Sequence, residues 1–132
     1  SVRKFYEALV WGHVPDTKGL IELPIRPDLN NRPRQIIDRA KGKAAQTRYR
    51  VINIGRQSSR LRLQPITGRS HQLRIHLASI GYPILGCDLY AHRAAFEAAD
   101  RLMLHATSLR ISHPTTLESL DFRCPAEFSV IG

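Results

Sequence analysis

The residues best able to do chemistry crowd into one stretch, Pro65 to Gly86, which reads PITGRSHQLRIHLASIGYPILG. It holds Arg69, His71, Gln72, Arg74 and His76 and no carboxylate. From Arg39 to Cys87 the chain carries ten Lys or Arg and not one Asp or Glu, so these cations need a partner from outside the segment. Ser70 is placed to cap a helix on which Leu73, Leu77 and Ile80 share a stripe, and Gly81 stops it ahead of Pro83. Arg74 then lies about 60° from Leu77, on the border of the buried stripe. A lone boundary arginine usually snorkels to water; the alternative is a cleft containing an anion. Arg69, His71 and Gln72 at the same helix start, where backbone N–H groups already favour anions, tilt the choice toward the cleft. A phosphate and a catalytic carboxylate would both fit.

Composition bounds the class. With 132 residues and 42% apolar content, one domain with a core is expected. A net charge of +9, carried by sixteen arginines among twenty basic residues, favours a polyanion, because the planar guanidinium suits phosphates and base edges. The bland reading of the same charge is a solvated basic face. Cys87 and Cys124 stand far apart without a CxxC pattern, which suggests reduced thiols in a cytoplasmic protein. His71 and His76 are five apart, about 140° around a helix, so no shared metal face is expected. There is no GxSxG, HExxH or phosphate-binding glycine loop, and no apolar run of membrane length. The expectation is a soluble protein with no metal, no cofactor and no membrane partner.

The elements that must position these residues are mostly strands. KFYEALVWG alternates Tyr6, Ala8 and Val10 on one face with Phe5, Leu9 and Trp11 on the other. LIELPI turns Ile21, Leu23 and Ile25 inward as one strand, and RPDLNNRPRQ, punctuated by prolines, reads as a loop. GKAAQTRYRVINI puts Thr47, Tyr49 and Val51 on one face, with Arg48 and Arg50 opposite; RLRLQPI aligns Leu61 with Leu63. A second helix is expected over RAAFEAAD, and LRISHP and LESLDFRCP read as closing strands. The fold class is α+β: a mainly antiparallel sheet with flanking helices.

Taken in order, KFYEALVWG, GKAAQTRYRV, PITGRSHQLRIHLASIGYPILG and LMLHATSLRISHP resemble successive motifs of the RluA family of RNA pseudouridine synthases, from about Arg3 to Phe128. The resemblance implies a cofactor-free isomerase that breaks the glycosidic bond of a uridine in structured RNA, turns the uracil over and rejoins it through C5. It implies that Tyr6 stacks on the flipped uracil, with small Ala8 leaving room, and that Arg74 pairs with the catalytic aspartate. Arg69, His71 and Gln72 match flanking positions that touch RNA or the site wall, and Arg48 and Arg50 join them as candidate RNA contacts. Leu104 and His105 match a Leu-His-Ala segment packed near the pocket. The loop NNRPRQ and the flanking motifs are most similar to the subgroup acting on both 23S ribosomal RNA and a tRNA anticodon stem-loop.

Two departures shape the expectation. The family's His-Arg-Leu-Asp motif does not occur in this sequence. Residues 1–132 are therefore expected to form the C-terminal portion of a catalytic domain, inactive by itself. The family's Gly-Asp-x-x-Tyr is here Gly86-Cys87-Asp88-Leu89-Tyr90, with the aspartate one place late; Asp88 makes a poor nucleophile candidate. An open strand edge and an apolar patch are expected near Tyr6 and Val10, to be covered by an N-terminal piece or a second copy. The competing readings are a non-catalytic basic RNA-binding module and, on charge alone, a ribosomal-type structural protein.

Overall fold

The computed structural model describes residues 2–112 and 119–123, with side chains described from 3 to 107. Cys124 and the ends of both closing strand segments lie outside the described residues. Among the described residues, eight strands and two short helices follow in the order β1 (Val2–Trp11), β2 (Lys18–Glu22), β3 (Ile25–Pro27), β4 (Gln35–Ile37), β5 (Gln46–Ile54), β6 (Ser58–Pro65), α1 (Gln72–Ser79), α2 (Arg93–Glu97), β7 (Leu104–Ser112) and β8 (Ser119–Arg123). Six of them form one sheet, ordered β2-β5-β6-β1-β7-β8, and every neighbouring pair is antiparallel.

The period-two pattern sets which side chains meet. Tyr6 faces Leu63, which faces Tyr49; Ala8 faces Leu61, which faces Val51. These rows lie on one face, and α1 closes over it with Leu73 and Leu77, joined by Ile84 and Cys87, in the main core. Leu9, on the opposite side of β1, enters a second cluster with Leu85 and Ala95 of α2. Fully burying a leucine contributes about 1.5–3 kcal/mol, so Leu61, Leu63 and Leu77 anchor the helix to the sheet.

β1 is an interior strand, paired with β6 on one side and β7 on the other, and Val10 is fully buried. The open edge expected near Tyr6 and Val10 is therefore not there; among the described residues the outer strands are β2 and β8. The segment LIELPI is also not one strand. Pro24 lacks an N–H, and its carbonyl accepts from Asp38 N, so the chain leaves the large sheet after Glu22. It then builds a separate two-stranded ribbon, β3 with β4, on either side of residues 28–34, which stay a loop as expected. Arg26 spans that ribbon to Asp38 at 2.6 Å. This bond, with the Lys41 and Ala40 N–H groups, pulls the Asp38 carboxyl down to about 2. α2 is shorter than RAAFEAAD, and β7 starts at Leu104, earlier than LRISHP, because it pairs with β1 back to Ala8. No helix among the described residues is long and apolar enough to cross a membrane.

α1 begins one residue later than expected. His71, not Ser70, holds the cap position, with φ 55° in the left-handed region, and no side chain caps the helix. Its geometry is held from outside: His71 Nδ1 lies 2.7 Å from Tyr90 Oη, and the two rings meet edge to face. At the other end Gly81 (φ 97°) stops the helix as expected, its N–H donating to Ala78 O while Tyr82 N–H donates to Leu77 O.

Candidate functional site

A cleft of about 430 Å³ opens at the end of the sheet where β1 begins and β6 gives way to α1. β1 contributes Lys4 and Tyr6, the β6–α1 connection Pro65 to Arg69, the helix start His71 to Arg74, and β7 Leu104. The structure thus brings together Tyr6, Arg69, His71, Gln72, Arg74 and Leu104 from four separate elements. Lys4 escaped the sequence reading, although its i, i+2 spacing to Tyr6 on a strand puts both on one face.

Arg74 is tightly held. Its side chain keeps only 17% exposure, with Nε donating to Cys87 Sγ at 3.3 Å and Nη2 to Asp88 Oδ1 at 2.5 Å. Its guanidinium also stands 5.5 Å from the centre of the Tyr90 ring. Burial works against the cation, but the Cys87 sulfur and the Asp88 carboxylate outweigh it, so the Arg74 pKa lies above the ordinary guanidinium value. The anion expected from elsewhere is, in this structure, Asp88, fourteen residues along the chain. The turn at Gly86 brings it in. Gly86 has φ 76°, and a side chain there would overlap Arg101 O, so only glycine allows the approach.

Tyr90 organises the same corner. Its Oη accepts from Gln35 N at 2.8 Å and meets His71 Nδ1; Arg34 lies over its ring, 5.3 Å from the centre, and donates to Leu89 O. An assignment that uses every donor has Oη donate to Nδ1, which leaves the proton of neutral His71 on Nε2. Burial first, then the nearby Arg74 charge, push the His71 pKa below the ordinary histidine value, with Asp88 opposing. Burial likewise raises the Tyr90 hydroxyl.

Four expected site residues play parts other than direct contact in the cleft. Gln72 is buried, and its amide is fully used inside the protein. Oε1 accepts from Thr67 Oγ1 (2.6 Å) and Arg69 N (3.1 Å), while Nε2 donates to Gln46 O (2.8 Å) and Thr47 Oγ1 (2.9 Å). With no capacity left for RNA, it shapes the cleft loop instead. His105 faces Glu7 in register and so alternates away from the cleft, while its neighbour Leu104, opposite Ala8, turns toward it. Arg48 and Arg50 lie on the opposite face of the sheet, since their neighbours Thr47, Tyr49 and Val51 take the core side. Arg69 stays exposed at the cleft mouth with Nε on Ala44 O, which leaves its terminal nitrogens available.

Beneath the cleft runs a buried polar relay. Thr47 Oγ1, accepting from Gln72, lies 2.8 Å from His76 Nδ1, and His76 Nε2 lies 2.9 Å from Leu23 O. A carbonyl only accepts, so Nε2 carries the proton and Nδ1 accepts from threonine. Burial lowers the His76 pKa, with the Leu23 bond opposing. No titratable cluster suited to a metal occurs among the described residues.

Comparison with known proteins agrees with this fold. Residues 1–79 match the family model described as RNA pseudouridylate synthase. The chain is 50% identical over 127 residues to the dual-specificity RNA pseudouridine synthase RluA of Yersinia pestis, covering 96% of this chain and 62% of that protein. It is 46% identical to the RluA of Escherichia coli K12, covering 96% and 58%. The chain thus spans about 60% of the length of these curated relatives. Among solved structures, human RNA pseudouridylate synthase domain containing 1 superposes with a TM-score of 0.80 at 32% identity, covering 94% of this chain and 54% of that one. With a matching family model over more than half its residues and the same fold in a solved relative, the chain belongs to the RNA pseudouridylate synthase family.

Proposed function

We propose that the protein carrying this chain isomerises uridine to pseudouridine in RNA, and that residues 1–132 form the C-terminal portion of its catalytic domain. The observation that supports this is the convergence of Tyr6, Arg74 and Leu104 on one cleft. The reaction breaks the C1′–N1 bond, forms C1′–C5, and exchanges a proton at C5 for one at N1. Product and substrate are isomers, so the chemistry needs no redox partner or group donor. A uridine must leave its stack to enter such a cleft; the Tyr6 ring offers it a flat face, and Leu104 an apolar wall. Arg74, whose Nε and Nη2 are held by Cys87 and Asp88, has Nη1 left to orient the nucleophilic aspartate. Lys4 and Arg69 at the mouth suit the flanking phosphates. The nucleophilic aspartate belongs to a motif outside these 132 residues, so this chain's own groups bind and orient. The dual specificity in the names of its relatives favours two RNA substrates; the resemblance of NNRPRQ and the flanking motifs suggests 23S ribosomal RNA and a tRNA anticodon stem-loop, in the cytoplasm.

The test is to incubate the intact protein with a tRNA anticodon stem-loop and a 23S ribosomal RNA fragment, and to quantify pseudouridine by nucleoside mass spectrometry. Wild-type protein should form it, and the 132-residue chain alone should not; turnover by the chain alone would point to Asp88 as nucleophile. Stacking is worth about 1–3 kcal/mol per base, so Tyr6→Leu should weaken RNA binding by that amount. Tyr6→Phe, which keeps the ring, should bind nearly as wild type. No pseudouridine from the intact protein, or full activity in Tyr6→Leu, would overturn the reading.

A further inference from the structure

The face of the sheet turned away from the cleft carries a broad hollow of about 880 Å³, lined among others by Phe5, Lys18, Arg48, Arg50, Arg62 and Gln64. No carboxylate among the described residues lines it. Strand register makes its charges a row: Lys18 stands opposite Arg50, and Arg50 opposite Arg62. Like charges directly opposed across strands are destabilising. The acids on this face do not neutralise the row. Glu7, opposite Arg62, accepts instead from Arg60 Nε at 2.9 Å, and Glu22 stands at the far end of β2 opposite Gln46. Arg62 is oriented as well as charged. Its guanidinium lies 4.5 Å from the centre of the Phe5 ring, which holds the planar fork over the hollow.

We propose that this hollow is a second RNA-binding surface that grips the sugar–phosphate backbone of the substrate on the side of the sheet opposite the cleft. It rests on the reading of RNA as substrate and extends it. The row of three cations crosses three strands, about 10 Å, and suits a polyanion better than a single phosphate. Phe5 and Gln64 of the hollow adjoin Tyr6 and Pro65 of the cleft in sequence. The two sites therefore lie back to back at the same end of the sheet. A strand whose uridine enters the cleft passes over the exposed rim at Ile66 and reaches the hollow without leaving the protein.

The test is equilibrium binding of the intact protein to a stem-loop with single-stranded flanks, by fluorescence anisotropy across a salt series. Wild type is compared with Lys18→Gln/Arg50→Gln/Arg62→Gln. All three side chains are exposed, so the variant should fold. The slope of log K against log salt should become shallower by about 0.7 for each single-strand phosphate no longer neutralised, or about 2 for all three. Arg50→Lys/Arg62→Lys keeps the charge and should recover the wild-type slope. An unchanged slope in the triple variant, while wild-type protein still forms pseudouridine in the same RNA, overturns this surface alone. Absence of pseudouridine from wild type strikes at the proposed function instead. An unchanged slope with a marked fall in Tm would show that an acidic protein segment covers the hollow, and that too refutes RNA binding there.

Discussion

Replacing Thr47 by valine probes what holds α1, and hence Arg74, against the sheet. Thr47 is fully buried, and its hydroxyl links Gln72 to His76 across β5 and α1. Valine keeps the shape, opens no cavity and removes only the hydroxyl. His76 Nδ1 then loses its partner, a buried unsatisfied acceptor costing about 1–3 kcal/mol. One Gln72 N–H is orphaned as well, although the other still reaches Gln46 O. A total loss of about 2–4 kcal/mol is expected, or about 7–14 °C in Tm for a folding unit of this length. The assay is urea and thermal unfolding of wild type and Thr47→Val, repeated from pH 8 to pH 5. Because the native His76 pKa is lowered, the unfolded chain takes up a proton below about pH 6.5 while the native one does not. Stability from this source is complete above about 6.5 and is lost as pH falls toward the lowered native value; His71 acts in the same direction. His76→Gln should flatten that acid slope, whereas Thr47→Val should keep it. A Thr47→Val loss below about 1 kcal/mol, or an acid slope indifferent to His76→Gln, would refute the relay as a structural tie.

Arg74→Lys keeps the charge but cannot reach Cys87, Asp88 and the Tyr90 face together; losing a charge-assisted bond worth about 1.5–3 kcal/mol should cut turnover of the intact protein about 10- to 150-fold. Wild-type turnover in that variant would show that the fork geometry is irrelevant. Gly86→Ala forces a side chain onto Arg101 O at a positive φ, and should cost at least about 2 kcal/mol, read as a lower urea midpoint at constant m. An unchanged midpoint would mean that the loop carrying Cys87 and Asp88 relaxes freely.

Much of this arrangement was legible because period two is unambiguous where one face is apolar. Tyr6-Ala8-Val10, Thr47-Tyr49-Val51 and Leu61-Leu63 each declare their inner side, and the sheet follows. The ribbon of β3 and β4 was not, because three-residue strands between prolines carry no alternation to count. The helix start was displaced by a bond nineteen residues away, from Tyr90 to His71, which no local capping rule contains. Arg74's carboxylate was hidden for the same reason: the turn at Gly86, not proximity in sequence, delivers Asp88. Gln72 reads as a polar residue at a helix start, and only the packed structure shows that all its bonding capacity is spent inward.

The same alternation that builds the sheet also sorts its cations onto two surfaces. On β1, Lys4 and Tyr6 turn to the cleft, while Phe5 turns to the hollow beside Arg62. On β5, Thr47 reaches the relay under the cleft, while Arg48 and Arg50 reach the hollow. A one-residue shift in the register of any of these strands would exchange the two sets, bringing charge into the core and leaving leucines in water. The apolar face therefore fixes which basic side chains line the cleft and which line the hollow. Substitutions at the hollow should act on affinity through its salt dependence, Tyr6→Leu on affinity without changing the salt slope, and Arg74→Lys on product formation; combining them across the sheet should give nearly additive free energies, because the two sets share no side-chain partner.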